Sequence, residues 1–233
     1  MTATLDVVIP ALNAAPLLAR TLSAIGAEAN AEGGDWHAAI TVCDGGSHDD
    51  TRAIARDSGA AVVSAPAGRG GQLATGAAAG SAPWLLFLHA DTVPEPGWAA
   101  SVRAFAAAPA NATKAGYFRL RFDSPDPRAR RIERLVAWRC RSFGLPYGDQ
   151  GLLIARAFYD GLGGFGALPL MEDVDIVRRI GRANLVPLDA AVTTSARRYE
   201  RDGWLVRPLR NLSCLALYLA GIPPHLVARL YGR

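Results

Sequence analysis

Cysteine is scarce in this 233-residue chain, and its three copies, Cys43, Cys140 and Cys214, are an odd number with no close spacing. That excludes a disulfide scaffold and a zinc site built from cysteine. Lysine is scarcer still: Lys114 is the single lysine among 25 basic residues. No stretch reaches the roughly 18 uninterrupted apolar residues of a membrane-spanning helix. Met1-Thr2-Ala3-Thr4-Leu5-Asp6 has neither a basic n-region nor an apolar h-region, so no signal peptide is read there and a cytoplasmic protein is expected. The sequence holds no Gly-x-Ser-x-Gly elbow and no His-Glu-x-x-His, which argues against the common serine hydrolases and zinc proteases. A Walker A phosphate loop is also missing, since no Gly-Lys-Ser/Thr occurs.

What is present is apolar mass and unevenly spread charge. Half the residues are hydrophobic and 20% are charged, enough to bury a large core in one α/β domain. The net charge of +4 averages two unlike parts. Residues 1–118 carry six basic and ten acidic side chains, and residues 119–233 carry nineteen and eleven. The basic second half points to something anionic, such as a phosphorylated substrate or an acidic membrane surface. Nucleic acid is not expected, because no recognition module or aromatic stacking motif accompanies the charge. The preference for arginine suits phosphate and carboxylate, and it equally fits a GC-rich genome.

The first ninety residues read as alternating strands and helices. Strands are expected at Leu5–Pro10, Ala38–Cys43, Ala60–Ser64 and Trp84–His89, and helices at about 15–32 and 49–58. A glycine-rich loop, Gly68-Arg69-Gly70-Gly71, precedes a helix of small residues ending near Gly80. Such alternation predicts a parallel sheet covered on both faces, with ligands beyond the carboxyl ends of the strands. The informative residues are then Pro10, Ala11 and Asn13, the stretch Asp44–Asp50, and His89–Thr92.

Those stretches carry a recognisable order. Val-Val-Ile-Pro-Ala-Leu-Asn at 7–13, Asp-Gly-Gly-Ser-His-Asp-Asp-Thr at 44–51, the Arg-Gly loop and Leu-His-Ala-Asp-Thr at 88–92 come first. Gly148-Asp149-Gln150-Gly151, Gly163-Gly164-Phe165 and Met171-Glu172-Asp173-Val174-Asp175 follow. Together, over about residues 5–200, they resemble glycosyltransferase family 2, the inverting sugar transferases of GT-A fold. The resemblance implies an α/β, mostly parallel sheet flanked by helices, closed by a helical C-terminal tail. It implies a nucleoside-diphosphate sugar donor of UDP type, a hydroxyl acceptor and a divalent cation, Mn²⁺ or Mg²⁺. A donor half at 1–92, an acceptor half at 93–200 and a tail at 201–233 follow from it. Leu-His-Ala-Asp-Thr and the ending Ala-Arg-Leu-Tyr-Gly-Arg look most like a small bacterial subgroup associated with arsenosugar biosynthesis.

Each candidate residue has a chemical reading beside a plainer one. Asp44 would accept hydrogen bonds from uracil or ribose, as the family's equivalent does; otherwise it is a turn residue, although Ser47 already offers a cap for the next helix. Asp91 is the expected metal ligand. The family's Asp-x-Asp is His89-Ala90-Asp91 here, so His89 is either a nitrogen ligand, which favours Mn²⁺, or a strand-end histidine bonded to backbone. Arg69, with Gln72 nearby, sits where helix amides and a guanidinium make an anion site; the alternative is a solvated surface arginine. The resemblance makes Asp173 the base that takes the acceptor's proton, ahead of its neighbours Glu172 and Asp175, with helix-start carboxylates as the plainer reading. Asp149 and Gln150 would bind sugar or acceptor hydroxyls, and Arg198, in Arg197-Arg198-Tyr199, the phosphate. Trp138 and Trp204 would stack on a sugar or a lipid, with burial in the core as the commoner role. His37, His48 and His225 carry no spacing that assigns them a role.

The apolar run Leu209–Ile222 packs on the sheet, lies in a membrane interface or forms a homodimer contact, packing being the plainest. A nucleotidyltransferase of related fold and a non-catalytic nucleotide-sugar binder are the competing functions.

Overall fold

The computed structural model describes residues 4–29 and 36–231. Among them, one eight-stranded sheet runs in the order β3-β2-β1-β4-β7-β6-β8-β5. Its first four strands are β1 (Leu5–Ala11), β2 (Ala38–Asp44), β3 (Ala61–Ser64) and β4 (Trp84–Phe87). They pair in parallel, with β1 between β2 and β4. The second four are β5 (Thr92–Pro94), β6 (Ala115–Phe122), β7 (Leu152–Ala155) and β8 (Leu185–Thr194). Of the pairs they add, β6–β8 is parallel, and β4–β7, β6–β7 and β5–β8 are antiparallel.

The alternation along β1 explains the layers. Leu5, Val7 and Ile9 point into one core and Val8 into another, as a period of two requires. The first core is closed by α1 (Ala15–Ala29) and α4 (Trp98–Ala107) through Leu18, Leu22, Ile25, Trp98 and Val102. The second is closed by α3 (Arg69–Ala78) and α7 (Glu172–Ile180) through Leu73, Ala77, Ile176 and Val177. The remaining helices are α2 (Thr51–Asp57), α5 (Pro127–Phe143), α6 (Arg156–Gly161), α8 (Arg197–Asp202), α9 (Val206–Leu219) and α10 (Pro224–Tyr231).

Several boundaries depart from the sequence reading. The glycine-rich segment is the first turn of α3 rather than a loop. Gly68 enters at φ 142°, and a Cβ on Gly70 would lie 2.2 Å from the Gly166 carbonyl oxygen, so only glycine lets the helix start against that segment. Helix α2 starts at Thr51, not Asp49, and Ser47 does not cap it. The Ser47 hydroxyl accepts instead from the Asn13 amide at 2.9 Å. Strand β4 stops at Phe87, where its pairing to β7 ends. The end expected for α1 near Glu32 lies outside the described residues.

Helix α5 begins at Pro127, with the Asp126 carboxylate accepting from the Arg128 amide at 2.8 Å. Trp204 is buried, but Trp138 is 53% exposed and packs edge-on against Phe143. The tail packs: Cys214, Leu215, Val227 and Ala228 close over Leu170, Met171 and Val174. No described helix is long and apolar enough to cross a membrane.

Candidate active site

Strands β1 and β4 stop pairing at Val8–Phe87, so the sheet splits beyond this point. An open cleft of about 730 Å³ fills the split. Pro10, Ala11 and Asn13 form one side, Gly68, Arg69 and Gln72 another, and His89, Asp91 and Arg198 the inner end. Asn13 has φ 48°, which asparagine tolerates, and its side-chain oxygen accepts from the His48 amide at 3.0 Å. Gln72 does not offer its amide nitrogen to the cleft. It donates to the Ala11 carbonyl at 2.8 Å and the Cys43 carbonyl at 2.7 Å, tying together the ends of β1 and β2.

Asp44 is fully buried. Its carboxylate accepts from the amides of Gly46 at 3.1 Å and Ser47 at 3.1 Å, and from the Arg52 guanidinium. Burial pushes this carboxyl up, but those hydrogen bonds outweigh it and hold the group below its ordinary range. The turn role weighed for Asp44 is therefore filled, and filled by Asp44 rather than by a Ser47 cap.

An inner pocket opens from the same end of the cleft. Arg69, His89, Asp91 and Arg198 line both spaces. Asp149, Glu172 and Asp173 line the inner pocket on one side. The Asp173 carboxylate is held by two amides, Gly148 N–H to Oδ2 at 2.8 Å and Val174 N–H to Oδ1 at 2.8 Å. It stands in the first turn of α7, which Met171 starts at φ 67°. A positive φ is strained for methionine, and such strain collects at functional sites. Asp175 turns away and pairs with Arg179.

Arg69 is not a solvated surface residue. Its Nη1 lies 3.1 Å from Oε1 of the buried Glu172. Burial disfavours its charge, but Glu172, Asp173 and Asp91 outweigh that and raise its pKa. Asp149 is pushed by burial up to about 6, and its Oδ1 accepts no hydrogen bond from a described residue. Gln150, by contrast, faces inward. It donates to the Phe118 carbonyl at 3.1 Å and accepts from Arg139 at 3.1 Å, so it holds the loop rather than lining the pocket.

The rest of the lining does not stand out in the sequence. Thr194, Ser195 and Tyr199 face the pocket beside Arg207 and Asn211 of α9. The four-residue spacing of Arg207 and Asn211 on one helix face is the signal the sequence offers for it.

A hard divalent cation fits Asp91. The residue is half-buried at the junction, and no hydrogen bond from a described residue occupies its carboxylate. No group of three His, Cys, Asp or Glu side chains suited to a metal exists among the described residues. Mg²⁺-type sites need only one or two carboxylates, with phosphate and water completing the shell.

A cleft at the carboxyl ends of parallel strands, joined to a pocket lined by carboxylates, is where an open α/β sheet binds its ligands. The sequence model of the family "Glycosyl transferase family 2" matches residues 6–159, and the chain belongs to that family. No curated protein matches it in sequence. Among solved structures it is similar to glucosyl-3-phosphoglycerate synthase from Mycobacterium tuberculosis in complex with Mg²⁺ and UDP. That likeness has TM-score 0.63 and 20% identity, over 95% of this chain and 80% of the other. The same enzyme with Mn²⁺, UDP-glucose and phosphoglyceric acid gives TM-score 0.56 and 21% identity, over 79% and 69%. S. aureus TarS 1–349 gives TM-score 0.61 and 14% identity, over 86% and 63%. At such identities the likeness is one of fold.

Proposed function

We propose that the chain moves a sugar, with inversion, from a nucleoside-diphosphate donor of UDP type to a hydroxyl acceptor. The observation that carries this is the Asp173 carboxylate. Two amides fix it on the pocket wall, and the pocket meets the cleft at Asp91. The nucleotide half of the donor lies along Pro10, Ala11 and Asn13, with Asp44 shaping the turn beneath. Arg69, held by Glu172, and Arg198 face its diphosphate at the junction, where guanidiniums favour a doubly charged group.

Asp173 then takes the acceptor's hydroxyl proton. The acceptor oxygen bonds to the anomeric carbon as the bond from that carbon to the diphosphate oxygen breaks, and the diphosphate leaves with the electron pair. Asp91, with His89 beside it, would hold Mn²⁺ or Mg²⁺, which when bound supplies charge stabilisation to the departing diphosphate. Glu172 anchors Arg69 and so positions it.

The finer assignments belong to the same proposal. The donor sugar is a hexose, in line with the UDP-glucose bound in the mycobacterial complex. The subgroup is the bacterial one associated with arsenosugar biosynthesis, supported by residues 88–92 and the C-terminal sequence. The protein works in the cytoplasm, peripheral to the inner membrane face.

The test is release of nucleoside diphosphate from a panel of nucleotide sugars with Mn²⁺ and candidate acceptors. Asp173→Asn should lower turnover by about 10²–10⁴-fold while donor binding persists. Full activity in that variant refutes the base assignment. Pyrophosphate release from a nucleoside triphosphate would show a nucleotidyltransferase, and donor binding without turnover a non-catalytic binder.

A further inference from the structure

We propose that the α8–α9 wall of the inner pocket is an anion subsite, so that the acceptor is a hydroxyl compound bearing a phosphate or carboxylate. This deepens the transfer reading above and rests on it. Its α9 residues, Arg207 and Asn211, lie beyond the residues matched to the family, 6–159, and beyond the resemblance that ends near residue 200.

Charge on this wall is one-sided. Residues 197–211 hold five arginines against Glu200 and Asp202. Glu200 accepts a hydrogen bond from the Ser124 hydroxyl at 2.9 Å. Asp202 is shared by three guanidiniums, those of Arg201 at 2.8 Å, Arg207 at 3.1 Å and Arg210 at 3.6 Å. Of the five arginines, Arg198 and Arg207 line the pocket, while Arg201 points largely to solvent. Arg207 is 6% exposed, so water screens its charge little. Arg198, assigned above to the donor diphosphate, lines both spaces from α8, so the acceptor subsite rests on Arg207 and Asn211.

Carboxylates line the same pocket: Asp149 and Asp173, with Asp91 at the junction, while Arg69 is paired to Glu172. A molecule with a hydroxyl at one end and an anion at the other has one favourable orientation here. Its anion meets Arg207 and Asn211, and its hydroxyl meets Asp173; the reverse orientation sets the anion against carboxylates. Asn211, one helical turn beyond Arg207, adds an amide donor suited to a phosphate or carboxylate oxygen. The arginine wall therefore selects the acceptor and aims its hydroxyl at the base.

Binding and transfer test this separately. Glycerol 3-phosphate, glycerate and uncharged glycerol are titrated calorimetrically into the full chain loaded with UDP and Mn²⁺, which fills the donor site first. The phosphate and the carboxylate should bind at least about tenfold more tightly than glycerol. Arg207→Gln should lose about tenfold in that affinity. Asn211→Asp, which keeps the side-chain volume, should do the same if Arg207→Gln fails to fold. In transfer assays the same two variants should raise the KM for a charged acceptor relative to an uncharged one. Soluble glycerol 3-phosphate and phosphatidylglycerol vesicles form separate arms, and product in either supports an anionic acceptor while naming its source. Equal affinity for glycerol and its phosphate, or variants that bind as the parent does, overturn the subsite. Phosphate binding without transfer from any donor overturns the transfer reading and leaves the subsite standing.

Discussion

At the scale of single residues, Asp149 offers a measurable signature. Burial lifts its carboxyl to about 6, so the folded protein holds this proton more tightly than the unfolded chain. Below pH about 3 the group is protonated in both states and has no effect on stability. Between pH about 4 and 6 the unfolded chain ionises first, and the protein loses stability as pH rises. Above pH 6 the full cost remains, about 2–3 kcal/mol for a shift of this size. Asp149→Asn should therefore be more stable than the parent at pH 7.5, with that advantage gone near pH 3. Urea unfolding of the metal-free protein at both pH values decides this, and a difference independent of pH contradicts it. Gly148 is the second such residue. Its amide holds Asp173, and a Cβ there would lie 2.6 Å from His89 Nε2 and 3.5 Å from Asp173 Oδ2. The approach to Asp173 is ordinary contact, so the clash falls on His89: Gly148→Ala should lower kcat by displacing His89 beside Asp91, and the overpacking should cost about 1–3 kcal/mol, read in a thermal melt.

At the scale of elements, identical substitutions should have opposite signs. Gly76 in α3 lies against β1 and β2, where a Cβ would meet Val8 Cγ1 at 2.4 Å and Cys43 Sγ at 2.6 Å. Both neighbours are fully buried, so Gly76→Ala overpacks the core and should cost about 1–3 kcal/mol. Gly26 in α1 has nothing within 4 Å of the same atom. Gly26→Ala should stabilise by about 0.5–1 kcal/mol, the helix-propensity difference alone. Paired denaturant titrations test both. These contacts also mark where the sequence stops being legible. Periodicity located β1, β2, β3 and the start of α1, because local pattern governs strands and amphipathic helices. It misplaced the start of α3, because the closeness of Gly70 to Gly166 is a tertiary fact. Ser47 looked like a cap, yet its hydroxyl bonds a loop 34 residues away. The carboxylates of the site stood out by motif. Arg207 and Asn211 did not, because hydropathy marks α9 as an apolar tail and says nothing of its inward face.

At the scale of the whole molecule, the division of charge meets the surface at α9. Leu205, Leu209, Leu212 and Leu219 are 78%, 62%, 60% and 50% exposed. Their spacing puts them on one helix face, opposite Arg207 and Asn211. Arg197 and Arg201 are exposed close by, and Arg210 is partly so. An apolar stripe edged with arginine suits an anionic membrane surface, where the leucines enter the interface and the guanidiniums meet lipid phosphate. A second copy fits less well, since it would bring two arginine-rich edges together in a symmetric contact. The full chain should therefore sediment with vesicles rich in anionic lipid and not with zwitterionic ones, and binding should weaken from 50 to 500 mM salt, as ~10 Å screening near 0.1 M requires. The double substitution Leu209→Glu and Leu212→Glu should abolish sedimentation, because each carboxylate opposes both the interface and the anionic lipid. A chain that ignores anionic vesicles but forms a stable dimer in ultracentrifugation, lost in the same double variant, would assign the stripe to self-association instead.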